Sequence, residues 1–191
     1  MKKFASFWLI FGAFYSMATA HTTSVPPEVV VEGTISTPTT WTADKVWVIE
    51  SAVYIETDLT IEAGTTVRFR SNASLNIGTN QFGSILAEGL TEKPILFTSA
   101  ATSPSPGDWL YINLGQHNAS SRTKFTHCTF EYGGGDDWGT VYVGNTAISM
   151  SSCTIRASKS VGLYLESGAK LKLYENNSIS ECGESAVVAD L

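Results

Sequence analysis

The sequence predicts an all-β chain, a single-stranded parallel β-helix of roughly five or six coils. Three observations predict it. From residue 28 onward the 191-residue chain is a series of short β-rich bursts, among them VWVIE, TVRF, ILFT, CTFEY, VYV and SIS. Gly, Asn, Ser, Asp and Thr separate the bursts, and none holds the 3.6-residue apolar period of a helix. The chain also repeats itself: HCTFEY (127–132), SCTIRA (152–157) and NNSISE (176–181) superimpose at steps of 25 and 24 residues.

The first residues, MKKFASFWLIFGAFYSMATA, read as a secretory signal peptide over 1–20. Lys2 and Lys3 form a positive n-region, Phe7 to Phe14 an apolar stretch, and Ala18-Thr19-Ala20 a small-residue cleavage site. The apolar stretch is too short to span a bilayer, which takes about 20 residues. Cleavage removes two lysines and leaves 10 Lys and Arg against 18 Asp and Glu, a net of −8. That acidity disfavours nucleic acid and anionic membrane surfaces as partners. Residues 21–40 are expected to form a leader and N-terminal cap, and 41–191 the β-helix.

Within the repeat, Phe130, Ile155 and Ile179 fall in one column. Cys128, Cys153 and Asn177 fall in a second, and Val141, Leu163 and Val187 in a third. Residues two apart on a strand share a face, so these columns are assigned to the interior. In a solenoid each coil pairs with the next, about 4.8 Å away, and like residues stack on like.

Upstream, TTWTADKVWVIESAVYIETDLTIEAGTTVRFRSNASLNIG, then GSILAEGLTEKPILFTSAATSPSPGDWLYINL, carries further phrases: an opening TWT, LTIEAGTTVRF, PILFTS and GDW. On these, residues 40–155 resemble a family of exported bacterial β-helix proteins, common in Bacteroidetes-like organisms and related to the pectin-lyase-like superfamily. The resemblance implies a right-handed helix and a secreted or cell-surface location. It implies no reaction, because that fold hosts lyases, hydrolases, adhesins and inert scaffolds. Ala63 and Leu90 depart from the family's usual proline and glycine. Trp41 and Trp47 stand where the family caps its first coil.

The stretch YGGGDDWGTVYV (132–143) is the main functional candidate. Between columns the second and third repeats use seven residues, Arg156–Gly162 and Ser180–Ala186, whereas the first uses ten, Glu131–Thr140. The three extra residues make a local loop on a regular wall, where recognition is often placed. Trp138 would offer an aromatic face to a sugar, with Asp136 and Asp137 accepting its hydroxyl hydrogen bonds. The simpler alternative is a solvated turn in which Trp138 folds over the coil edge and Gly133–Gly135 supply permissive backbone angles. A catalytic carboxylate pair is disfavoured: the N-T-D, G-H-G and R-I-K motifs of β-helix polygalacturonases do not occur here. A calcium roll would repeat G-G-x-G-x-D, and GGGDD occurs once with different spacing.

Three widely spaced cysteines make no disulfide framework; Cys128 and Cys153 are read as stacked interior thiols, with a disulfide between successive coils as the alternative. His127 and Cys128 point to opposite faces of one strand. The N-x-S/T matches at Asn72, Asn118 and Asn176 are read as chance. SAATSPSPGD (99–108) is expected to project as a polar loop. The chain stops within a coil, so the β-helix is expected to be either incomplete at that end or covered there by a partner, self-association being the form proposed.

These readings converge on a secreted, non-catalytic module that binds carbohydrate or a protein partner through Asp136, Asp137 and Trp138. It would use no cofactor and no metal. A polysaccharide lyase or glycoside hydrolase is the first alternative. A structural spacer or adhesin fragment is the second.

Overall fold

A computed structural model describes residues 25–190, all strand, turn and loop. The signal-peptide reading of 1–20 lies outside the described residues. Among those described, no helix is long and apolar enough to cross a membrane.

The chain winds in rungs. The first holds β1 (Glu28–Ile35) and β2 (Thr39–Trp41), the second β3 (Val46–Ile55) and β4 (Asp58–Ile61). The third holds β5 (Thr66–Phe69), β6 (Ser74–Ile77) and β7 (Ser84–Glu88). The fourth holds β8 (Ile95–Ser99), β9 (Ile112–Leu114) and β10 (Lys124–Thr126). β11 (Cys128–Glu131), β12 (Val141–Val143) and β13 (Ala147–Ser151) form the fifth, and β14 (Thr154–Arg156), β15 (Leu163–Leu165) and β16 (Lys170–Glu175) the sixth. β17 (Ser178–Ser180) and β18 (Val187–Ala189) begin a seventh.

Every rung pairs in parallel with the next, which makes a parallel β-helix with three walls. Wall one runs β5-β8-β11-β14-β17, wall two β6-β9-β12-β15-β18, and wall three β2-β4-β7-β10-β13-β16. β1 and β3 bend round one corner and take part in both of the first two walls. The solenoid thus begins at Glu28, inside the segment 21–40 expected to be leader and cap.

The predicted columns are in register. Phe130 pairs with Ile155 and Ile155 with Ile179; Val141 pairs with Leu163 and Leu163 with Val187. Cys128 and Cys153 are free, buried thiols. The next member of their column, Asn177, does different work: its side chain accepts from the Cys153 backbone N–H and donates to the Met150 carbonyl, both at 2.9 Å. It satisfies backbone groups that would otherwise be orphaned at the helix corner.

Large aromatics fill the middle of the core. Phe97 and Phe130, neighbours along wall one, stack at 4.9 Å, and Phe125 of wall three meets both edge-on. Phe69 stacks on Trp109 at 4.2 Å, and the Trp109 indole donates to the Glu131 carbonyl at 2.9 Å. Trp41 and Trp47 do not lie over an open end as expected. Trp41 is fully buried, and Trp47, half-buried, packs against the core in register with Val29 and Val67. Stacked at 5.3 Å, the two rings are core filling.

Two sharp corners bound wall one. His127, Ser152 and Asn176 enter it with φ of 46°, 53° and 55°; Tyr132, Ala157 and Glu181 leave it with φ of 65°, 52° and 55°. Six non-glycine residues thus hold the left-handed conformation, which costs L-residues about 1–2 kcal/mol each and persists only because the stacked walls impose it. His127 is therefore a corner residue. On the last described rungs Leu171, Leu173, Tyr174 and Val187 are exposed.

Candidate functional site

The outward column of wall two reads Tyr54, Asn76, Asn113, Tyr142, Tyr164, Val188. Its middle is amide and its later part aromatic, on adjacent strands. The Asn113 amide N–H₂ donates to the Asn76 Oδ1 at 3.5 Å, a long contact, and Asn76 donates in turn to Ser74 Oγ and the Val53 carbonyl. The donors of this ladder are used within the wall. The Asn113 Oδ1 is buried and has no partner.

The loop 132–140 brings Trp138 onto this column. Glycine is required there chiefly for space. A Cβ on Gly133 would lie 2.9 Å from both Trp109 and Thr140, and one on Gly135 would lie 2.9 Å from the Gly107 carbonyl oxygen. Gly134, at φ +72°, has Ser158 Oγ against it. The backbone is tied on both sides. Gly134 and Gly135 N–H donate to Leu110 and Trp109 of the fourth rung, while Lys159 N–H of the sixth donates to Gly133. From beneath, the buried Ser160 hydroxyl meets the carbonyls of Gly134 at 3.1 Å and Asp136 at 2.6 Å. The glycines form a clamped ledge, and only the tip at Asp137 and Trp138 is an exposed turn.

At the tip, Asp136 Oδ1 accepts the Trp138 backbone N–H at 3.0 Å, while Asp137 is exposed. Asp136 thereby shapes the turn that presents the indole. Burial raises its carboxyl above the usual value of 3.8, the Trp138 N–H pulls it back, and the Asp137 charge adds to the rise. Trp138 stacks on Tyr142 at 5.0 Å and on Tyr111 at 5.5 Å, and Tyr142 stacks on Tyr164 at 5.5 Å. The result is a four-ring strip across three rungs. Trp138 keeps 46% of its surface open, so it neither stands free nor disappears into the coil edge. The Tyr142 hydroxyl is pushed up to about 12 by partial burial, then by the Glu166 carboxylate. Tyr164 donates to Asp190 at 2.6 Å. These tyrosines stay neutral hydroxyls through the physiological range.

Beside the strip lies an open groove of about 460 Å³, bounded by Thr79, Asn113, Gln116, Trp138, Tyr142 and Glu166, with Asn145 and Ser167 at its margin. The Thr79 hydroxyl, like the Asn113 Oδ1, is buried without a partner. Both atoms lie behind the groove's surface, and each carries a desolvation cost. An aromatic wall with convergent amides, hydroxyls and one carboxylate is the chemistry that holds a sugar ring.

Family comparison matches residues 33–141 to the model of the pectate-lyase like beta helix domain. The chain belongs to this family. No curated protein and no solved structure matches it significantly. The match to the pectate-lyase like β-helix domain takes in Tyr111 and Trp138 and stops before Tyr142, Tyr164 and Glu166. The groove is thus built partly from the matched region and partly from the rungs that follow it.

Of the three site residues named from sequence, Trp138 lines the groove, Asp136 supports it through the turn, and Asp137 lies at the exposed tip. Tyr142 and Tyr164 were in view only as strand residues, although their outward parity was readable from the Val141 and Leu163 columns. Asn113, Thr79 and Glu166 gave no local signal, because only the rung register brings them to one place. Among the described residues, no cluster of three His, Cys, Asp or Glu is placed to hold a metal ion.

The polar loop 99–108 is anchored at its base. Asp108 accepts from Ser99 Oγ at 2.6 Å and from the Ser105 N–H at 2.9 Å, while residues 101–106 are exposed.

Proposed function

We propose that this pectate-lyase like β-helix chain is an exported, non-catalytic module that binds carbohydrate in the wall-two groove. The observation that carries the reading is the Trp138–Tyr142 aromatic strip standing beside a groove lined by amides, hydroxyls and the Glu166 carboxylate. Stacked aromatics supply apolar contact at low entropy cost, and convergent polar side chains fix a ligand's orientation. Export is supported by the lysines, the apolar stretch and the Ala-Thr-Ala site of residues 1–20.

Glycan-array screening followed by calorimetric titration tests the reading. Saturable binding that falls at least about tenfold in Trp138→Ala and Tyr142→Ala, with both variants folded, is the expected result. Binding indifferent to both substitutions would refute it.

A glycoside hydrolase is the second reading, and Asp136 is what favours it. Its carboxyl keeps its proton to higher pH than usual, as a general acid must. Against this, its Oδ1 is engaged by the Trp138 N–H, and Asp137 is exposed at the loop tip. Release of reducing sugar or unsaturated product that Asp136→Asn abolishes would establish that reading instead.

A further inference from the structure

The groove's lining includes one charged side chain, Glu166, and no Lys or Arg. The Glu166 carboxylate lies over the glycine that follows β12, with Oε2 3.3 Å from where a Cβ on Gly144 would stand. Asp136 and Asp137 sit on the loop that presents Trp138, and Asp190 holds the Tyr164 hydroxyl at the strip's other end. The remaining polar lining, Gln116, Tyr142 and Asn145, consists of neutral groups that donate and accept. Lys170 and Lys172 line an adjoining cavity of about 390 Å³ that shares Gln116 and Asn145 with the groove, and Lys172 Nζ donates to Ser120 Oγ at 3.1 Å.

This is a site for hydroxyl donors. A sugar hydroxyl can donate to Glu166 and still accept from Tyr142, Gln116 or Asn145. A uronate brings a carboxylate into a groove whose fixed charge is negative, with no guanidinium or ammonium lining it to offset desolvation. Resting on the carbohydrate-binding reading above, we propose that the wall-two groove selects uncharged glycans and discriminates against uronic-acid glycans through Glu166. The two neighbouring aspartates reinforce the discrimination as a longer-range field that salt screens.

The experiment is a calorimetric comparison on the full chain. Neutral hexasaccharides (gluco-, xylo- and manno-configured) are titrated against an oligogalacturonate of equal length, at low and high salt. Wild type, Glu166→Gln and Trp138→Ala are compared. Glu166 is exposed, so its variant keeps the fold. The expected result is a neutral ligand bound at least about tenfold more tightly than the acidic one. High salt and Glu166→Gln should each narrow that ratio several-fold by improving the acidic ligand. Equal or tighter binding of oligogalacturonate by wild type, lost in Trp138→Ala, would overturn the selectivity and leave the carbohydrate reading standing. So would a ratio unmoved by Glu166→Gln. Binding of neither class, or binding that survives Trp138→Ala, would overturn both.

Discussion

The Ser160 hydroxyl of the sixth rung meets the Asp136 carbonyl of the fifth at 2.6 Å, from a position 4% exposed. One buried serine thus fixes the height of the loop that carries Trp138. Ser160→Ala should leave the Asp136 and Gly134 carbonyls short of a donor and loosen the indole against Tyr111 and Tyr142. The cost to stability should be about 1–2 kcal/mol. Acrylamide quenching of tryptophan fluorescence should rise, and glycan affinity should fall with it. A variant with an unchanged urea midpoint and unchanged quenching contradicts the clamp.

Glu131 is 7% exposed and is held by Arg156 Nε at 2.8 Å and by Thr98 Oγ1 at 2.9 Å. Arg156 is itself half exposed, so solvent screens the pair. Arg156→Ala leaves a nearly buried carboxylate with one neutral partner, at an expected cost of about 1–2 kcal/mol. Adding Glu131→Gln should recover part of that loss, because the uncompensated charge is removed. Chemical denaturation of the single and double variants decides it.

Phe130 is fully buried between Phe97 and Phe125. Phe130→Ala should cost about 3–5 kcal/mol, and Phe130→Leu considerably less, since leucine refills most of the volume. The same core forces Ala157 into φ +52° at the next corner. Ala157→Gly should therefore stabilise the fold by about 0.5–1 kcal/mol, against the usual penalty for glycine. Thermal unfolding that moves in opposite directions for Phe130→Ala and Ala157→Gly is the expected pattern.

Burial raises the Asp136 carboxyl above 3.8, so the folded chain holds this proton more tightly than the unfolded chain. The stabilisation belongs to the protonated form and is lost as pH rises through the unfolded and then the folded value. Asp136→Asn keeps an oxygen acceptor for the Trp138 N–H and removes the titration. The stability of this variant relative to wild type should rise with pH across the acid range and level off once Asp136 is ionised. Urea midpoints of both proteins, taken from about pH 3 to about pH 7, measure that difference. A difference flat in pH contradicts the raised carboxyl.

The fold was legible because a solenoid writes its register into the chain. Phe130, Ile155 and Ile179 recur at nearly equal steps, and the same steps place Val141, Leu163 and Val187 in register. The left-handed corners were not legible, since His127, Tyr132, Ala157 and Glu181 are not the residues that local turn chemistry selects. Stacked neighbours impose those angles. The strand that opens the first rung was legible as part of the β-rich run from residue 28, although it fell inside the segment assigned to leader and cap. Trp138 could be found from the three-residue excess in its loop. Asn113 and Thr79 could not, because only the rung register brings them to the groove.

Trp138 is open to solvent, whereas Trp41 and Trp109 are fully buried. Their indole N–H resonances can be followed separately while a neutral hexasaccharide is added. The account predicts a saturable shift of the Trp138 signal, with those of Trp41 and Trp109 unmoved. Binding that leaves the Trp138 resonance in place, or that moves signals away from wall two, would contradict it.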